Sequence, residues 1–187
     1  KKYESITSGS KSIRVFEGAA RFSGPNEVTV NGQVLSAPRF LVATGGAPTV
    51  PDIPGLRDTP YLTSDLLTSH EDIELTELPA SLIIIGGGYI ALELGQMFAR
   101  FGTSVTILAR GARILTAYEP EIAQSVADVF REEGIAIHTK TTVSRVHGDE
   151  RHVVVTLQMD GRQKELKAAK LLVATGRTPN TEHLGLE

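Results

Sequence analysis

The stretch LIIIGGGYIALELGQMFARFGTSVTILAR, residues 82–110, constrains this chain more than any other. A short aliphatic run bounded by glycines reads as a strand buried on both faces. Between Tyr89 and Phe101, Ile90, Leu92, Leu94, Met97, Phe98 and Phe101 share a segment with Glu93, Gln96 and Arg100, giving a broad apolar helical face, and Gly102 stands where a C′ residue would end it. The strand SVTILA follows at once. Glycine lets the backbone turn sharply between strand and helix, so the first helical N–H groups and the helix dipole face any anion placed there. Gly86 and Gly88 take the first two positions of the fingerprint G-x-G-x-x-G/A, and Ala91 takes the third, small-residue position, where it permits close packing of helix on strand. A lone match could be no more than a structural turn; the helix, second strand and spacing that follow it fit a dinucleotide unit.

The end of the second strand bears on which dinucleotide. An acid there accepts hydrogen bonds from the ribose 2′-hydroxyl of NAD, whereas a 2′-phosphate repels an acid and favours arginine. This strand ends in Ala109 and Arg110, with Arg113 close behind, and that reads as NADP. A solvated arginine just past a strand is the other reading of Arg110.

Around this unit the chain alternates between short strands and breakers. SIRVFEGAARF, EVTV, the pair Asn31-Gly32 and QVLSA predict an antiparallel meander, because Asn-Gly tolerates the positive φ of a tight hairpin turn. It feeds an expected buried strand over residues 40–43. Pro48, Pro51, Pro54 and Pro60 then mark an irregular connector. A short helix is expected within residues 65–78. A better-marked one begins at Glu119 and Pro120, keeps Ile122, Val126, Val129 and Phe130 on an apolar face, and closes at Gly134. IAIHT, TVSRVHG, HVVVTLQM, the turn at Asp160-Gly161, QKELKA and residues 170–174 predict one strand, a second meander and a last buried strand. FLVATGGAP and LLVATGRTP, one on either side of the β-α-β-α-β region, suggest that the chain leaves one domain and re-enters it through equivalent strand ends.

Composition removes other classes. In 187 residues, 19 basic and 22 acidic side chains form no block of like charge, so the electrostatic stripe a nucleic acid needs is missing. No apolar run reaches the roughly 18–20 residues of a membrane span. Cysteine is absent, which rules out thiol chemistry by these residues, and His70, His138, His147, His152 and His183 show no metal-ligand spacing. No G-x-S-x-G elbow supports a hydrolase.

GGGYIALELGQMFARFG, with ATGRTPN about eighty residues later, resembles the flavin-dependent pyridine nucleotide-disulfide oxidoreductases, the group that includes glutathione reductase and lipoamide dehydrogenase. Within it, YLTSDLLTS, ELGQMFARFGTSVTILAR and KLLVATGRTPNT look most like the mercuric reductases. The resemblance implies an α/β fold: a Rossmann-like NADPH-binding domain over residues 63–176, with a parallel sheet, helices and an antiparallel meander. Residues 1–62 would be a partial FAD-domain segment and connector, and 177–187 a return stub.

It further implies that Gly86, Gly88, Ile90 and Ala91 lie under the coenzyme diphosphate, that Tyr89 closes over the nicotinamide pocket, and that Glu93 meets the carboxamide. Arg110 matches the family's first 2′-phosphate arginine. The usual second one falls on Thr116, and Arg113 is the candidate substitute. Gly176 would pass near NADP, while Ala20, Thr44 and Gly45 would touch FAD or the first crossing point. The implied reaction carries hydride from NADPH through FAD and a cysteine pair to Hg(II) in a cytoplasmic homodimer. The FAD fingerprint, the cysteine pair and the dimerisation domain are expected before Lys1 and after Glu187, so this stretch alone would dock NADPH without turnover. A glutathione reductase or lipoamide dehydrogenase type, or a non-catalytic NADP-binding module, are the alternatives.

Overall fold

The computed structural model describes residues 12–67, 75, 77–159 and 161–186. The chain divides into two compact units, one made of Lys1–Gly46 with Pro179–Glu187 and the other of Ala47–Thr178.

In the first unit, β1 (Ala20–Gly24), β2 (Glu27–Val30) and β3 (Gln33–Ser36) form the antiparallel meander expected from the sequence. Asn31 and Gly32 turn the hairpin with φ of 49° and 80°. Residues 40–43 depart from expectation: they form no strand, and Leu41 is 92% exposed. A strand needs a ladder partner as well as an apolar sequence, and among the described residues none pairs with this run. Phe40 instead meets Phe22 edge to face at 5.1 Å.

The second unit carries the larger core. After β4 (Gly46–Pro48) and the two-residue β5 (Leu62–Thr63) come β6 (Ser81–Ile85), helix α1 (Tyr89–Arg100), β7 (Ser104–Leu108), helix α2 (Pro120–Glu132) and β8 (Ala136–His138). The antiparallel strands β9 (Thr142–Gly148), β10 (Val153–Met159) and β11 (Arg162–Ala168) follow, then β12 (Lys170–Val173) and β13 (Arg177–Pro179). The main sheet is parallel in the order β5-β12-β6-β7-β8.

Alternation along β6 explains the aliphatic run. Leu82 and Ile84 pack with α1 and α2 in one buried cluster, while Ile83 and Ile85 pack with Val146, Val153, Val155 and Leu157 of the meander in another. Helices, parallel sheet and antiparallel sheet therefore form three layers, and the central layer must be apolar on both sides.

Gly102 and Gly134 follow the helices with φ of 102° and 79°, as C′ glycines do. Ser64–Leu67 form a 3₁₀ turn; most of the helix expected over 65–78, with His70, lies outside the described residues, as does Asp160 of the second hairpin. The buried stripe of α2 also differs from expectation. Ala123, Ala127 and Phe130 are buried, whereas Ile122 and Val129 are 50% and 46% exposed. Two alanines let this helix lie close to the sheet beside the buried Phe130, and Ile122 and Val129 turn outward.

The connector is structured rather than merely crossing. Leu56 is fully buried in the meander-side cluster, the Val146 N–H donates to Pro54 O at 2.9 Å, and Gly55 passes so close that a Cβ there would lie 2.1 Å from Val146 O.

Candidate functional site

β6 and β12 lie side by side, while β6-α1-β7-α2-β8 winds in the other direction, so the sheet reverses its order between these two strands. In open α/β sheets such a reversal leaves a crevice at the carboxyl ends of the strands, where ligands bind. Gly86 sits at the end of β6 with φ 141°, and a Cβ on it would lie 2.2 Å from Ala174 O at the end of β12. Its N–H donates to Leu108 O at 3.0 Å. The neighbouring strands thus leave room for no residue but glycine.

Gly88 is the opposite case. Its φ of −87° suits any residue, and no atom lies within 4 Å of the position a Cβ would take. It is the N-cap of α1, with no side-chain capping bond, and the first helical bond runs from Leu92 N–H to Gly88 O at 3.2 Å. The first-turn N–H groups therefore point without an internal partner into open space bordered by bare backbone. That arrangement fits a diphosphate. Ala91 is fully buried beneath this turn, and Ile90 packs against the same core.

Gly87 is a sterically constrained position of the turn that the fingerprint passes over as an unspecified residue. A Cβ there would lie 2.9 Å from Ala109 Cβ, so the turn rests directly on the end of β7. Its carbonyl accepts from Leu115 N–H at 2.7 Å, which fastens the loop after β7 to the turn. Three glycines in a row were the available signal.

Ala109 is buried and Arg110 exposed. Arg113 is folded into its own loop, donating through Nη2 to Thr116 O at 3.2 Å and Tyr118 O at 2.9 Å, while its buried Nε has no partner. β8 closes the far side: Ala109 N–H donates to His138 O at 2.8 Å, Thr141 N–H to Ala109 O at 3.1 Å, and Lys140 N–H to Gly111 O at 2.8 Å. Tyr89, 56% exposed, and Glu93 line a shallow groove with Gln96, Leu115 and Tyr118. Gly176, φ 131°, lies two residues beyond the Ala174 that abuts Gly86, and its carbonyl accepts from Thr49 N–H at 2.9 Å.

In the other unit, Ala20 and Thr44 line one apolar groove with Phe22, Phe40 and Leu184, and Gly45 stands beside it with φ 71°. The side-chain amide of Asn180 donates to Thr44 O at 3.1 Å, and its backbone N–H donates to Gly45 O at 3.0 Å. The groove has no charged side chain. Such a lining suits an apolar group and offers nothing to a diphosphate.

Burial, and secondarily the Lys164 ammonium, hold His138 below the ordinary histidine range. The neutral ring is thus favoured in the folded chain. Its contribution to stability is complete above the ordinary value of about 6.5 and is lost as pH falls through that value toward the lowered one. Urea unfolding between pH 7.5 and 5 should show this decline, and His138→Gln should reduce it.

The model of the pyridine nucleotide-disulphide oxidoreductase family matches residues 1–187. The chain belongs to that family. Among its relatives, a mercuric reductase of Staphylococcus aureus is 41% identical over 92% of this chain and 31% of its own length. A mercuric reductase of Acidithiobacillus ferrooxidans is 44% identical over 100% of this chain and 33% of its own. The HOCl-induced flavoprotein disulfide reductase RclA from Escherichia coli has a similar structure, with a TM-score of 0.77 and 33% identity over 98% of this chain and 40% of that one. This pyridine nucleotide-disulphide oxidoreductase chain therefore spans about a third of the length of the curated relatives it matches. Among the described residues, no helix is long and apolar enough to cross a membrane.

Proposed function

We propose that this chain is the coenzyme dock of an NADPH- and FAD-dependent mercuric reductase. The observation that carries the reading is the pairing of Gly88, open and uncapped, with Arg110, exposed at the end of the neighbouring strand. The N–H groups at the start of α1 hold the diphosphate, Gly88 lets it approach, and Arg110 meets the 2′-phosphate. Tyr89 and Glu93 border the groove assigned to the nicotinamide end. Arg113, occupied by two carbonyls, shapes the loop and is the weaker candidate for the phosphate. Ala20, Thr44 and Gly45 contribute an apolar wall to FAD.

When bound, NADPH supplies the hydride that FAD and a cysteine pair of the whole enzyme relay to Hg(II). The flavin fingerprint, that cysteine pair and the contacts of a homodimer belong to the parts of the whole enzyme beyond this stretch. Relatives named mercuric reductase, 41% and 44% identical, support the choice of substrate.

Isothermal titration tests the dock. NADPH is expected to bind at least tenfold more tightly than NADH. A charge-assisted hydrogen bond contributes about 1.5–3 kcal/mol, so Arg110→Ala should weaken NADPH by roughly 10- to 100-fold and leave NADH nearly unchanged. Equal affinity of the unmodified chain for both coenzymes would remove the assignment of Arg110.

A further inference from the structure

Lys140 follows β8 at the point where the chain turns back toward the loop that carries Arg110. Leu108 and His138 are in register as parallel neighbours, and the pairing continues past both strand ends. Thr141 N–H donates to Ala109 O and Lys140 N–H to Gly111 O, so the backbones at 110 and 140 run alongside each other, about 5 Å apart as in a sheet. Both residues are exposed. Among the described residues, neither the Arg110 guanidinium nor the Lys140 ammonium takes part in a hydrogen bond or an ion pair, and no acid occurs in 109–113 or 138–142.

The Lys140 backbone is unusual too. It lies at φ 51°, a region that suits glycine or asparagine and penalises a side chain such as lysine. Its N–H bond to Gly111 O and the next residue's bond to Ala109 O hold it there. The fold thus fixes a long cation, at the expense of local strain, beside Arg110 at the mouth of the glycine turn. Strain of this kind tends to collect at binding sites.

We infer that Lys140 is the second cation of a two-cation clamp on a phosphate monoester at the adenosine 2′ position, with Arg110 as the first. The inference rests on the dock described above and adds the residue that completes it. A 2′-phosphate carries about −1.5 to −2 charges near neutral pH, more than one guanidinium offsets. Arg113 cannot serve as freely, because two loop carbonyls already hold one of its terminal nitrogens. Lys140 contributes as a point charge on a flexible stem and Arg110 through its planar fork.

The test uses fragments that need neither nicotinamide nor flavin: calorimetric titration with adenosine 2′,5′-bisphosphate and with adenosine 5′-monophosphate. Lys140→Ala and Lys140→Asn are each expected to weaken the bisphosphate roughly tenfold, leave the monophosphate unchanged, and flatten the salt dependence of bisphosphate binding. Asparagine tolerates the φ of this position, so Lys140→Asn separates lost charge from lost backbone geometry. If both Lys140 variants keep the parent's preference for the bisphosphate while Arg110→Ala loses it, the clamp is wrong and the dock stands. An equal loss for both nucleotides would mean that Lys140 only supports the loop, and would also overturn the clamp. Failure of the unmodified chain to bind either nucleotide would overturn the clamp and the dock together.

Discussion

Gly86→Ala should lower the melting temperature of the chain by roughly 5–20 °C, while Gly88→Ala, two residues further on, should barely change it. The methyl group at 86 would lie 2.2 Å from Ala174 O and 2.7 Å from Ala174 C, which are backbone atoms of a buried strand end. Overpacking costs about 1–3 kcal/mol and a non-glycine φ of this kind about as much again, so a loss of roughly 2–6 kcal/mol is expected. At 88 there is nothing to collide with. The lost capping preference and the reduced freedom of the unfolded chain offset each other to within about 1 kcal/mol. The same methyl group occupies the space through which a diphosphate must approach, so Gly88→Ala should weaken dinucleotide binding by at least about tenfold, for NADPH and NADH alike. Circular dichroism melts and calorimetry on the two variants decide the matter. A Gly86→Ala chain that melts like its parent, or a Gly88→Ala chain that binds like it, contradicts the role assigned to each glycine.

Leu56→Ala should cost about 2–5 kcal/mol in urea unfolding, as large as a change in the middle of a sheet. Leu56 lies in a segment broken by prolines, yet it is fully buried among Ile83, Val146, Val155 and Leu171. Removing its side chain leaves a cavity that the fixed φ angles of Pro51 and Pro54 prevent the connector from closing. A cost under about 1 kcal/mol would show that the connector lies on the core without belonging to it.

The elements legible in the sequence were those whose signal is local. β6, α1 and β7 could be read because an aliphatic run, glycines and a helical period are short-range features, and both meanders because their hairpin turns need particular backbone angles. Residues 40–43 looked the same as β12 in sequence, and only the presence of a ladder partner separates them. On α2, bulk was mistaken for burial: Ile122 and Val129 outweigh Ala123 and Ala127 in any hydrophobic pattern, yet closeness of approach favours the alanines. Around the turn between β6 and α1, the fingerprint marked Gly86, Gly88 and Ala91. Gly87 stayed hidden because its constraint comes from Ala109, twenty-two residues away, and Lys140 because its relation to Arg110 exists only through the pairing of β7 with β8.

Ala109 sits against Gly87 with almost no exposed surface. A Cβ added at Gly87 would lie 2.9 Å from the Ala109 methyl, so the turn after β6 and the end of β7 share one point of contact. Drift at either strand end would therefore be felt at the other, and the two positions are expected to change together or not at all.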